Sequence, residues 1–199
     1  MGACLSSPPQ AAGRYSAPVY YPPPQTSGPG QQFVLFFPDK AMPCRSFLEG
    51  RPCRRRNCQY SHEMTSLCHF VFQLRQARQA ISCCVYTITC REISEELVAA
   101  HRRGVQVRVV TEDEKMDDKG SKTMNLRSQG ISVRKDGRGL MHHKFAVVDG
   151  RTVLNGSFNW TRSAVLNNRE NVVISQDPNL ARAFTAEFES LWRAFARNR

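Results

Sequence analysis

An α/β sandwich layered around a mixed sheet is the fold this sequence predicts, and three observations carry the prediction. From residue 65 onward, short apolar runs of strand length alternate with longer stretches whose apolar residues recur at helical spacing. Breaks fall where such elements must end or begin, at Gly104 and at Asp177-Pro178. Hydrophobic residues make up 41% of the chain and charged residues 23%, which allows a core and argues against wholesale disorder, collagen or a disulfide miniprotein. At 199 residues the chain holds one domain of roughly 150 residues and a small accessory.

The elements follow in order. Residues 65–79 read as a helix, and Ile81 to Thr89 as a buried β-rich run. Ile93 to Arg103 is an amphipathic helix that Gly104 stops. Val105, Val107 and Val109 alternate as a strand, Lys122 to Ser128 gives another helix, and Ile131 to Arg134 a short strand. Three further strands are expected at 142–149, 152–155 and 171–175. Asp177-Pro178 then caps and starts a last helix, with Leu180, Phe184, Phe188, Leu191, Trp192 and Phe195 on its core face.

The rest of the chain differs in composition. Eight of the eleven prolines lie in residues 1–38, which predicts a flexible Pro-rich tail there. The tail opens Met-Gly-Ala-Cys-Leu-Ser, a pattern for acylation at Gly2 with Cys4 available for a second chain; two chains would hold a membrane surface stably. Lys and Arg number 28 against 17 acids, a net charge of +11 that favours a polyanionic partner such as nucleic acid or anionic lipid. Arg14 is the one charge before residue 39, so the positive field belongs to the folded part. No apolar run approaches the roughly 18 residues of a membrane span, and the start lacks the pattern of a secretory signal. An intracellular location is expected, where eight cysteines point to metal binding or burial rather than to disulfides.

One segment carries phosphate chemistry. In His142-His143-Lys144-Phe145-Ala146-Val147-Val148-Asp149-Gly150, strand alternation would put His142 and Lys144 on one face, a nucleophilic imidazole beside a cation that can neutralise phosphoryl oxygens. Asp149 has the opposite parity and reads as positioning backbone or neighbours; His143 reads as a core or rim histidine. Gly156-Ser157-Phe158-Asn159 follows the next strand, a small-residue turn where backbone and Ser157 can approach an anion and Asn159 presents an amide donor. Glu170 leads into another strand, where a carboxylate could fix the tautomer of His142. Arg102, Arg103 and Arg108 are either a solvated surface or the lining of a substrate groove.

His142-x-Lys144-x4-Asp149, Gly156-Ser157-x-Asn159 and Glu170 together resemble the HKD signature of the phospholipase D superfamily, over about residues 65–196. The stretches "MHHKFAVVDG", "LNGSFNWT" and "NNREN" are similar to the single-motif branch of mitochondrial cardiolipin hydrolase and the Zucchini endoribonuclease. The resemblance implies a phospholipase D-like sandwich, attack of His142 on phosphorus to form a phosphohistidine, Lys144 and Asn159 on the nonbridging oxygens, Glu170 orienting the histidine, and no catalytic metal. It also implies a homodimer, because one chain carries a single motif where two-motif members place two at one site. Animal members begin with a membrane-spanning helix that sets them on the mitochondrial surface; here the Pro-rich tail stands in its place.

Between tail and domain, Cys44, Cys53, Cys58 and His62 have the spacing C-x8-C-x4-C-x3-H, a set that suits tetrahedral structural zinc in a module over 39–64. The segment resembles CCCH zinc fingers that bind single-stranded RNA: Phe47 and Tyr60 could stack bases, and Arg54, Arg55 and Arg56 could meet phosphates. These features make an endonuclease on single-stranded RNA the leading expectation and a cardiolipin hydrolase the alternative, with a noncatalytic RNA-binding module third. A lipid enzyme should carry an apolar lip, which the sequence does not locate.

Overall fold

In the computed structural model, which describes residues 32–112, 122–136 and 139–196, the expected alternation closes into one seven-stranded sheet. In chain order the elements are β1 (Gln32–Phe36), α1 (Arg45–Leu48), α2 (Ser66–Arg75), β2 (Ala80–Val85), α3 (Arg91–Arg102), β3 (Gln106–Glu112), α4 (Thr123–Ser128), β4 (Ser132–Asp136), β5 (Lys144–Val148), β6 (Thr152–Gly156), α5 (Arg162–Leu166), β7 (Asn171–Ser175) and α6 (Pro178–Ala194). The strands lie in the order β1-β7-β6-β5-β2-β3-β4. β2, β3 and β4 are parallel to one another and all other pairs are antiparallel, so the sheet is mixed. The C-terminal ends of β1, β2, β3 and β6 therefore share one edge of the sheet with the N-terminal ends of β5 and β7.

Two layers of side chains cover the faces. Leu67, Phe70, Val71 and Leu74 of α2 and Ile93 and Leu97 of α3 join Ile81, Val107, Ala146 and Leu154 in the larger core. On the other face Phe188 of α6 buries against Cys84, Val110, Phe145 and Val147, with Phe184, Leu191, Trp192 and Phe195 packed around them. The helical spacing of those six apolar positions thus serves one face, except that Leu180 remains exposed. The Asp177 carboxylate accepts from the N–H groups of Asn179 and Leu180 ahead of an N1 proline, which starts α6 where expected.

Local chemistry sets the joins. Asp149 and Gly150 both have positive φ, 52° and 63°, and Arg151 N–H donates to the Val148 carbonyl at 3.0 Å, which makes the β5–β6 connection a type I′ hairpin turn. Glu96 of α3 is buried and accepts from Arg75 of α2 at 2.9 Å and from Arg103 at 3.2 Å, so its charge is compensated where it would otherwise be costly. The buried thiols of Cys83 and Cys84 are pushed above the usual cysteine range by desolvation, as suits core residues.

Four expectations change. The tail does not extend to residue 38: Gln32–Phe36 pairs antiparallel with β7, and Leu35 and Phe37 enter the core. The β-rich run ends at Val85 rather than Thr89, because the chain turns to bond the loop after β6: Trp160 N–H donates to Thr87, and Thr89 and Cys90 donate to the Trp160 carbonyl. The helix expected to reach residue 79 ends at Arg75, since the N–H groups of Arg78, Gln79 and Ala80 turn to the Asp149 carboxylate instead. Arg102 and Arg103 border one cleft, together with Arg45, Arg51 and Arg75, but Arg108 does not line it. Arg102 bonds Gln129, Arg103 bonds Glu96, and Arg108 pairs with Glu189 while its guanidinium lies over Phe188 and Trp192. The proposed acylation sites Gly2 and Cys4 lie outside the described residues.

Candidate active site and metal centre

The expected phosphate-binding residues gather at the shared edge of the sheet. Lys144 is the first residue of β5 and pairs in register with Val85, the last of β2. His142 lies before the strand, not in it, so strand parity does not set its position. Hydrogen bonds on either side hold it instead: Met141 N–H donates to the buried Glu112 carboxylate at 2.7 Å, and Tyr86 N–H donates to the His143 carbonyl at 3.0 Å. The Lys144 ammonium donates to the His142 carbonyl at 2.6 Å. The His142 ring is exposed and lies 5.0 Å from the Tyr86 ring, centroid to centroid. His143 is exposed too, its Nε2 3.3 Å from Glu187.

Electrostatics separate these groups. Burial holds the Lys144 ammonium below the usual lysine range, and the charge of Glu170 pulls it partly back. The folded chain thus binds this proton less tightly than the unfolded chain. The charged side chain costs stability below its depressed pKa, and the cost fades as pH rises toward the 10.5 of a free lysine.

The other three positions follow from β6 and β7. Ser157 donates to Glu170 Oε2 and accepts from Asn171 N–H at 3.2 Å, while Asn168 Nδ2 donates to Glu170 Oε1 at 3.0 Å. Glu170 therefore rests on Ser157 and Asn168 rather than on His142. Its backbone carbonyl accepts from Phe37 N–H at 3.0 Å, so the strand β1 that the sequence reading missed braces this residue. Asn159 stands between Phe158, stacked 4.2 Å from Phe37, and fully buried Trp160. Its Oδ1 is buried without a hydrogen-bond partner among the described residues.

Asp149 sits at the opposite edge of the sheet. Burial pushes its carboxyl up, but the N–H groups of Ala80, Arg78 and Gln79 outweigh that and hold it below the usual aspartate range. Its tie between β5 and the start of β2 is present above about pH 4 and is lost as pH falls through the depressed value.

Gly156 keeps β6 and β7 close. A Cβ there would lie 1.9 Å from the Asn171 carbonyl oxygen and 2.8 Å from its carbon. Gly156→Ala is expected to lower stability by about 1–3 kcal/mol, the range for overpacking. A urea melt checks this; an unchanged midpoint would mean the strands part without cost.

The ligand atoms of Cys44, Cys53, Cys58 and His62 all lie within 4.8 Å of one another. A tetrahedral zinc with bonds of about 2.0–2.3 Å needs ligand separations of roughly 3.5–3.8 Å, so three thiols and an imidazole here suit such an ion with small shifts. The Cys44 thiol is held down at about 6, chiefly by the Phe47 backbone N–H and further by Cys53 and Cys58. The segment is not free-standing. Met42 and Leu48 belong to the main core, and Phe47, partly buried, packs against it. Tyr60 is 40% exposed, and Arg54, Arg55 and Arg56 are exposed.

A family model described as "Cardiolipin synthase, PLD-like domain" matches residues 70–192. The chain is 44% identical over 163 residues to a protein of Chlamydomonas reinhardtii named mitochondrial cardiolipin hydrolase, covering 81% of this chain and 73% of that one. It is 39% identical over 167 residues to the Mus musculus protein of the same name, covering 81% and 76%. Among solved structures it resembles Nuc of Salmonella typhimurium, a phospholipase D family member, with a TM-score of 0.65, 24% identity and coverage of 82% and 95%. NucT of Helicobacter pylori gives a TM-score of 0.64 at 18% identity, covering 82% and 96%; both likenesses are of fold.

Proposed function

Since the chain belongs to the phospholipase D superfamily, in the branch of the cardiolipin hydrolases and the Zucchini nucleases, we propose that it hydrolyses cardiolipin or a similar anionic phospholipid. The class of enzyme follows from membership: it is a phosphodiester hydrolase. The observation that carries the lipid reading is a pair of exposed apolar side chains at the catalytic edge. Leu140, two residues before His142, is 67% exposed, and Phe36, opposite Asn171 in the register of β1 and β7, is 44% exposed. Apolar side chains beside charged groups suit a headgroup whose acyl chains remain in a bilayer.

In this reading an imidazole nitrogen of His142 attacks phosphorus, and the ester oxygen leaves with a proton from an acid on the opposite side. Lys144 and the Asn159 amide hold the nonbridging oxygens, with Ser157 at the rim. Water then attacks the phosphohistidine, giving up a proton and releasing the phosphate monoester and His142. One chain supplies a single histidine in this setting, so a homodimer with the site on its two-fold axis provides the acid from the second copy. Glu170 reaches the histidine pair by releasing Ser157 or acts through the charge it places on Lys144. Zinc at Cys44, Cys53, Cys58 and His62 is structural in this scheme and takes no part in bond breaking.

Among the described residues no helix is long and apolar enough to cross a membrane. Acylation of Gly2 and Cys4 is the attachment this reading adds, on a membrane surface such as that of the mitochondrion. Single-stranded RNA is the second reading, supported by exposed Tyr60 and by Arg54, Arg55 and Arg56 on the metal-binding segment.

The two are separated by giving the purified chain cardiolipin vesicles and single-stranded RNA, each in a brief exposure to EDTA. Phosphatidic acid is expected from the vesicles, from a species that sediments as a dimer at micromolar concentration. Cleaved RNA with intact vesicles would move the assignment to the nucleic acid, and full activity in a strict monomer would remove the shared site.

A further inference from the structure

Tyr86 belongs to none of the motifs that mark the site, yet it touches both side chains that the reaction uses. It is the first residue after β2, where the chain leaves the sheet. Its backbone is fixed at both polar groups: its N–H donates to the His143 carbonyl at 3.0 Å, and its carbonyl accepts from the buried Thr111 hydroxyl at 3.4 Å. The ring is thus carried by the end of a central strand rather than by a loose loop. Against it lies the His142 imidazole, 5.0 Å away between centroids at an interplanar angle of 59°. The Lys144 nitrogen lies 5.4 Å from the same centroid, within the range in which an aromatic face attracts a cation.

These contacts meet a specific need. His142 is exposed, lies outside β5, and makes no ring hydrogen bond among the described residues, so its side chain has several staggered orientations open to it. In-line attack on phosphorus requires one of them. Lys144 is buried, and among the described residues its amine donates to the His142 carbonyl at 2.6 Å. An ammonium in that position benefits from a second electronegative surface that does not compete with phosphate for its protons.

We infer that Tyr86 is a positioning residue for the phosphodiester reaction, its ring setting the direction of the His142 imidazole and helping to hold the Lys144 ammonium at the site. The ring is assigned this role because it makes the contacts to His142 and Lys144. The charged and titratable groups around Lys144 are Glu170, His142 and Tyr86 itself, with Glu112 behind Met141. Of these, Glu170 favours the charged amine and burial opposes it. Removing the ring subtracts a further favourable contact, so the amine should lose its proton at lower pH.

The inference rests on His142 and Lys144 being the reacting pair, and the test keeps the two apart. Tyr86→Phe, Tyr86→Leu and Tyr86→Gln are compared with wild type on a soluble aryl phosphodiester, bis(p-nitrophenyl) phosphate, which needs no membrane. The Leu and Gln variants are expected to lose roughly ten- to a hundredfold in kcat with KM within about threefold. The alkaline limb of their kcat/KM profile should move to lower pH. Tyr86→Phe should keep both parameters within about threefold. Two aliphatic or polar replacements are used so that one soluble variant suffices, with folding checked by thermal melt. Wild-type kcat and an unmoved alkaline limb in either would overturn the inference. So would a Phe variant as impaired as the Leu variant, which would transfer the role to the hydroxyl. Failure of the underlying reading looks different: full turnover in a His142 variant.

Discussion

His142→Asn is expected to lower turnover of phosphodiester substrate by at least about a thousandfold while leaving the melting midpoint where it was. Two features separate the effects. The ring is exposed and borders only Tyr86 among the described aromatic contacts, so replacing it removes little packing, and stability should stay within about 0.5 kcal/mol of wild type. The same ring is the nucleophile in the proposed reaction, and asparagine cannot form the covalent intermediate. Lys144→Ala should also abolish turnover, but through a buried residue whose backbone begins β5, so some loss of stability is expected with it. Stopped-assay kinetics beside a calorimetric melt read both quantities. Turnover persisting in the His142 variant would sink the phosphohistidine route.

The second large effect concerns the metal. Wild-type chain should contain about one zinc per molecule by elemental analysis, and Cys53→Ser should lose it together with about 4 kcal/mol or more of stability, as removal of a structural metal commonly does. The reason lies in how the segment is joined to the domain. Pro43 bridges Ser61, Cys44 N–H donates to the Ser61 carbonyl at 2.8 Å, and Met42 and Leu48 lie in the main core. Loosening the ligands therefore withdraws core residues as well as a surface loop. Full metal content in the variant would rule out this ligand set, and an unchanged melt would show that the segment folds without the ion.

Much of the fold, and the gathering of the candidate site residues at one edge, were legible because they depend on short-range pattern. The spacing of His142, Lys144, Ser157, Asn159 and Glu170 places them at the ends of adjacent strands, and the caps at Gly104 and Asp177 are local chemistry. What the sequence hid depends on pairing across long separations. β1 is five residues long and follows a proline-rich stretch; only β7, some 140 residues later, makes it a strand. Tyr86 looked like one more member of a β-rich run, because nothing local says that the chain turns there to meet residue 143. Arg108 read as solvated surface or groove lining, and its enclosure by Glu189, Phe188 and Trp192 of α6 was not legible. Spacing grouped the candidate metal ligands that the fold brings within 4.8 Å of one another, whereas the packing of Phe47 against the domain was not legible, since an aromatic residue beside a ligand has the same sequence signature whether it faces solvent or core.

The direction of β1 has a consequence for how the enzyme would sit if it is tethered. β1 runs toward the catalytic edge, with Phe36 beside it and Gln32 opposite Ser175 at the far end of β7. Gln32 therefore enters the sheet at the end away from the reacting groups. A lipid anchor at the start of the chain would, if drawn tight, hold the molecule by its back and turn the mouth outward. Contour length alone would prevent that. Strand β1 covers only about 17 Å, whereas 31 residues can reach at most about 100 Å when extended. An acylated chain with a connection of that length would be able to turn over and face the membrane that holds it. Shortening residues 5–31 by two thirds should leave hydrolysis of a soluble phosphodiester unchanged while slowing attack on the vesicle to which the chain is attached.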